Sequence, residues 1–142
     1  MKLTGNIRKM KSALADVVQY QLPLYDILEP NHYIPLNELV GQKIRLTFEN
    51  AIHCVVTGKK INKVFGEGMS YDAFMNSPEA SPSIIRPELS RIHEGIALRD
   101  YEWEMAHHMQ PHYAYISNTS GLKVGVTRTT QVPTRWIDQG AS

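Results

Sequence analysis

Near the carboxyl end, apolar residues fall at every second position through Tyr113 and Tyr115, and again through Leu122, Val124 and Val126. A period of two predicts half-buried strands, here Tyr113–Ile116 and Leu122–Thr127, joined by the polar turn Asn118-Thr119-Ser120-Gly121. Gly121 is expected to supply a positive φ in that turn, and Gly125 within the second strand predicts close approach of another backbone or a ligand. Pro133 suits the first turn of a helix starting near it. A second strand pair, Lys43–Phe48 and Ala51–Val56 around a turn at Glu49-Asn50, is rich in β-branched residues. Two more strands are expected around Leu3–Met10 and Val17–Leu22, with Ser12–Asp16 turning between them. Pro23, Pro30 and Pro35 then rule out a regular helix and predict an extended excursion.

Between these strand regions, Asp100–His108 reads as a short helix, with His107 and His108 suiting its negative end. Pro78, Pro82 and Pro87 make 76–87 a loop. Ile84, Ile85, Leu89, Ile92, Ile96, Leu98 and Trp103 are expected to order it as a satellite core. The pattern predicts an α+β, strand-rich chain of antiparallel hairpins with a few short helices. It divides into a β-rich part at 1–75, a loop and short helices at 76–111, and a strand-turn-strand-helix unit at 112–142.

Composition narrows the function classes. The chain has 142 residues, 42% hydrophobic and 20% charged, the balance of one folded domain or two small modules sharing a core. Fifteen basic against 14 acidic residues leave a net charge of +1, so nucleic-acid contact requires a local patch. No apolar run approaches the ~20 residues of a membrane helix. With one cysteine, Cys54, no internal disulfide forms, and a cytoplasmic location is expected. Cys54 is expected to be a buried small hydrophobe of low reactivity.

Tyr115, then Lys123-Val124-Gly125-Val126-Thr127, then Arg135 resembles the start of a GIY-YIG-type endonuclease core. A wider match runs through MKLTGNIRKMK, PLNEL, IHC, FGEG, RPEL, MQPHY, SGLKVGVTR and TRWIDQGA. Together these resemble the amino-terminal half of an uncharacterised bacterial family known as a domain of unknown function. In GIY-YIG chemistry the tyrosine assists the nucleophile, an arginine stabilises the phosphoryl charge and a later glutamate holds a divalent metal. Tyr115 and Arg135 fill the first two places as vestigial candidates, and Lys123 replaces the second tyrosine. After Arg135 the only acid is Asp138, a poor substitute for the metal-holding glutamate. No catalytic residue is therefore assigned, and the resemblance leans away from an enzyme.

Many members of the resembled family carry zinc-ribbon cysteine pairs, which fall here on Cys54, Thr57, Ser70 and Ala73, making 52–74 a degenerate ribbon-like part. A second group falls on Ala80, Ser83, Ser90, Ala97 and His108. Zinc takes nitrogen, sulfur or carboxylate ligands at about 2.0–2.3 Å, so folding without zinc and without any cofactor is expected. His93, His107, His108 and His112 are weak metal candidates, because imidazole binds zinc and nickel. Ordinary surface and helix-end roles are the alternative for them.

Lys59, Lys60 and Lys63 lie on a basic segment ending in Gly66 and Gly68, a ribbon suited to tracking phosphates or simply to solvation. With Lys123, Arg128 and Arg135 they are the candidate phosphate contacts, and Trp136 is a candidate stacking residue. The reading that follows is a non-catalytic module binding DNA or RNA. Its alternatives are a small protein-binding or inhibitory protein, and an incomplete metal-dependent nuclease.

Overall fold

A computed structural model describes residues 1–141. It shows antiparallel sheets and short helices, the α+β class. The amino-terminal sheet is centred on β3 (Gln19–Asp26), which pairs with β4 (Glu29–Pro35) on one side. On its other side it pairs with two short strands, β1 (Asn6–Ile7) and β2 (Lys11–Ala13). The expected strand at Leu3–Met10 is thus broken, and the turn lies beyond Ala13 rather than at Ser12. The break has a local cause. Pro23 has no N–H to offer, and it sits where the β1 and β2 registers differ by one residue. Arg8 N–H still reaches the Pro23 carbonyl at 3.2 Å.

The proline-rich excursion is likewise a hairpin. Pro23 and Pro35 are paired strand positions, and the register shifts between Leu24 and Tyr25 opposite Asn31. The hairpin tip, Ile27-Leu28, lies against Gly58, where a Cβ would meet Ile27 Cγ2 at 2.8 Å. Ile27 itself adopts φ 60, an uncommon conformation for a β-branched residue.

Lys43–Phe48 forms no strand. Among the described residues nothing pairs with it, and all its residues are exposed. Only β5 (Ile52–His53) survives of the expected second pair, joined to β6 (Lys60–Ile61). Next comes α1 (Tyr71–Asn76), capped by the Ser70 hydroxyl, which accepts from Ala73 N–H. Three proline-led 3-10 turns follow, Pro78–Ala80, Pro82–Ile84 and Pro87–Leu89, and a fourth at Ile92–Glu94.

The aliphatic satellite core expected around these turns does not form. Ile92 is buried, but Ile84, Ile85, Ile96 and Leu98 are exposed. Closely spaced prolines make the turns too tight to aim successive side chains inward. The interior is filled by Ser77, Ser81, Ser83 and Glu104 instead. Glu104 belongs to α2 (Tyr101–His108), where the expected helix lies, capped by Asp100.

β7 (His112–Asn118) and β8 (Leu122–Arg128) form the expected hairpin, and α3 (Thr134–Asp138) begins just after Pro133. Gly121 lacks the expected positive φ. α3 contacts β2, so the carboxyl-terminal unit rests on the amino-terminal sheet.

Candidate functional site

The register of β7–β8 sorts the hairpin into two unlike faces. Tyr115 lies opposite Gly125, with Ser117–Lys123 and Tyr113–Thr127 as its neighbours on one face. Ala114, Ile116, Leu122, Val124 and Val126 form the other. The tyrosines and the aliphatic residues of the sequence pattern therefore point to opposite sides. α3 covers part of the tyrosine side. The Tyr115 and Trp136 rings meet edge to face at 5.8 Å, and the Tyr115 hydroxyl donates to Gln139 Oε1 at 2.8 Å. Gly125 is closely approached, but by a side chain rather than by the expected backbone or ligand: a Cβ there would lie 2.6 Å from the Tyr115 ring tip.

Lys123 and Arg135 are exposed on this unit, and among the described residues neither makes an ion pair. Arg128 is half-buried at the hairpin end, opposite His112. Trp136 is half-buried, and its indole N–H has no hydrogen-bond partner. Asp138 is turned elsewhere, accepting from Lys9 Nζ at 3.0 Å. The unit thus presents cations and aromatic rings, and its one acid is engaged by Lys9, between β1 and β2 at the other end of the chain.

Lys59, Lys60 and Lys63 are all exposed, on and beside β6 rather than on the hairpin. Lys63 Nζ lies 5.2 Å from the Phe65 ring centroid, a cation–π contact. Lys59 gives its backbone carbonyl to Cys54 N–H at 2.8 Å.

Cys54, Thr57, Ser70 and Ala73 converge. Cys54 Sγ accepts from Thr57 N–H at 3.4 Å and from Ser70 N–H at 3.2 Å, and Cys54 packs in one buried cluster with Met69 and Ala73. The thiol is fully buried, which raises its pKa. Hydrogen bonds from the Thr57 side chain and from the Ser70, Thr57 and Val56 backbone outweigh that effect and bring it down to about 6. Cys54 is therefore buried as expected, with N–H groups facing its sulfur.

The histidines take separate partners. His107 stacks on Trp103 at 3.7 Å and its Nδ1 faces the Trp103 carbonyl. His108 Nε2 lies 3.0 Å from Ser83 Oγ, which in turn lies 3.0 Å from Ser81 Oγ. Burial lowers the His108 pKa, with the nearby Glu104 charge opposing. His93, His108 and His112 share the wall of a cleft of about 410 Å³ with Glu88 and Ser90. Among the described residues, no three His, Cys, Asp or Glu side chains are grouped to hold a metal ion.

In sequence Glu104 lies among the histidines, but its buried role was not foreseen. It accepts from the backbone N–H groups of Leu98, Arg99 and Asp100, at 2.9–3.2 Å, filling the turn before its own helix. Burial raises its pKa, but these bonds lower it by more, so the carboxylate stays charged. No local signal marks it, because Glu is a common choice in a first helical turn.

Residues 41–142 match the family model described as Protein of unknown function (DUF2797). No curated protein and no solved structure matches the chain.

Proposed function

This chain belongs to the DUF2797 family, and we propose that it is a non-catalytic nucleic-acid-binding module that contacts phosphates through a local basic patch. One observation carries the reading. Lys123 and Arg135 stand exposed and unpaired on the unit where the Tyr115 and Trp136 rings meet. Unpaired cations beside an aromatic pair suit a strand whose phosphates need neutralising and whose bases need a stacking partner. Arg128 lies at the other end of the hairpin, on the face of Val124 and Val126, so it and the Lys59–Lys63 ribbon would supply separate phosphate contacts.

The same unit resembles a GIY-YIG lead-in, and its chemistry favours binding over cutting. The Tyr115 hydroxyl is tied to Gln139, and Asp138 is tied to Lys9. The Cys54, Thr57, Ser70 and Ala73 cluster reads as a zinc-ribbon knuckle that keeps its turns through N–H···S bonds in place of metal.

The test is a salt titration of single- and double-stranded DNA and RNA binding. Lys123→Glu and Arg135→Glu should weaken binding at low salt and each flatten the log–log salt slope by about 0.7–0.9, whereas Lys2→Glu should change little. An absence of binding would overturn the proposal. So would magnesium-dependent cleavage abolished by Tyr115→Phe. A protein-binding module is the second reading, favoured by the aliphatic face of β7–β8.

A further inference from the structure

We propose that Phe65, Tyr71 and Phe74, with Lys59, Lys60 and Lys63 beside them, form a stacking platform for the unpaired bases of a single-stranded nucleic acid. This site deepens the nucleic-acid reading on which it rests, naming the form of the strand and a second place that holds it.

The platform is built locally. The basic ribbon leads through β6 into Phe65, whose backbone pairs with Met69 across the turn Gly66-Glu67-Gly68. α1 follows directly. Its inner side is Ala73, packed with Cys54 and Met69, which leaves Tyr71 and Phe74, three residues apart, on its outer side. The Phe65 ring joins the two: it meets Tyr71 edge to face at 5.3 Å and stacks with Phe74 at 6.3 Å. Gly66 leaves room for the Phe74 ring, because a Cβ there would meet Phe74 Cδ2 at 2.9 Å.

These rings are not spent on the interior. The cluster around Cys54 is completed by Val55, Val56, Ile61 and Ala80, and no aromatic ring belongs to it. Tyr71 is 57% exposed and Phe74 37%. Aromatic surface left in water beside a basic ribbon marks a binding face.

Charge decides what occupies that face. Between residues 51 and 66 the chain holds three lysines and no acid. All three lysines are exposed, and among the described residues none makes an ion pair. Lys63 already lies over the Phe65 ring. At the far end of α1 the Arg99 guanidinium donates to the Phe74 and Ser77 carbonyls, at 3.2 and 2.6 Å, which sets a fourth cation against the same helix. Two acids adjoin the rings. Glu67 lies in the turn, and Asp72 lies about 100° around α1 from Tyr71, off the ring face. A single strand uses both features, its phosphates meeting the lysines and its bases the rings. A duplex keeps its bases stacked on one another and offers the rings no base face.

Fluorescence anisotropy with labelled oligothymidylate and oligouridylate tests this, against an abasic strand of equal length and a duplex. Both base-bearing single strands should bind more tightly than the abasic one. Tyr71→Ala should weaken them by about 5- to 150-fold without changing the salt slope, and should leave duplex and abasic binding as they were. Tyr71→Phe, which keeps the ring, should bind like the unaltered chain. Lys60→Gln should instead flatten the log–log salt slope by about 0.7. Photo-crosslinking of a bromodeoxyuridine strand to the unaltered chain, which depends on no variant's folding, should label Phe65, Tyr71 or Phe74. Equal affinity for abasic and base-bearing strands, or crosslinks only elsewhere, would overturn the proposal. Single-strand binding lost in Lys123→Glu and Arg135→Glu but indifferent to Tyr71→Ala would overturn the platform, leave its rings to a protein partner and keep the hairpin patch. The reverse pattern would uphold the platform and remove the hairpin patch, and no binding to any strand would overturn both.

Discussion

Cys54 holds a buried sulfur that two backbone N–H groups face, and its charge state is set by them. Its folded pKa of about 6 lies below the ordinary 9.0, so folding favours the thiolate. The sign follows from linkage: an acid with a depressed folded pKa adds stability that is complete above pH 9 and lost as pH falls through 6. The interval between those values bounds the contribution at about 4 kcal/mol, since each unit is worth about 1.36 kcal/mol. The stability advantage of the unaltered chain over Cys54→Ser should therefore widen steadily from pH 6 to pH 9 in urea unfolding. A difference that stays flat over that range would show the sulfur to be a neutral thiol. Reactivity is a separate matter, because a fully buried thiolate cannot meet an alkylating reagent until the chain opens. Glu104 follows the same logic with a different partner set, its charge held by three N–H groups that would otherwise be orphaned before α2.

At the level of elements, β7, β8 and α3 make one unit through Tyr115, Gly125, Trp136 and Gln139. Gly125→Ala would drive the Tyr115 ring off the strand and break its bond to Gln139. Overpacking of this kind costs about 1–3 kcal/mol, and Tyr115→Ala in the same chain should recover much of the loss by removing the clash. Thermal unfolding of the two single variants and the double variant measures that coupling; additive losses would refute the contact. These elements were legible in the sequence because local signals agree there: alternation, a polar turn and a proline ahead of the helix. Asp100–His108 was legible for a similar reason, an N-cap acid and terminal histidines. The 43–48 segment was not, because β-branched alternation states a preference for a strand but cannot provide the partner strand. The prolines of 23–35 misled in the other direction, since a bulge and a broken neighbour accommodate them within a hairpin. Of the candidate site, a close approach at Gly125 could be read from its place inside a strand, whereas the side chain that makes it, the separate partners of the histidines and the burial of Glu104 depend on tertiary packing.

For the molecule as a whole, the balance of surface decides more than any single contact. Among the described residues the buried hydrophobic core is Leu24, Cys54, Met69, Ala73 and Ile92, a small interior for a chain of 142 residues. The Lys9–Asp138 bridge joins the two ends of the chain, but it is largely exposed and adds at most about 1 kcal/mol. With so little apolar surface removed from water, an isolated copy should be marginal and unfold with a small urea dependence for its length. Urea unfolding measures this: the slope of stability against urea should fall below that of a compact domain of 142 residues, and a full-sized slope would mean that the chain removes as much surface from water as such a domain does.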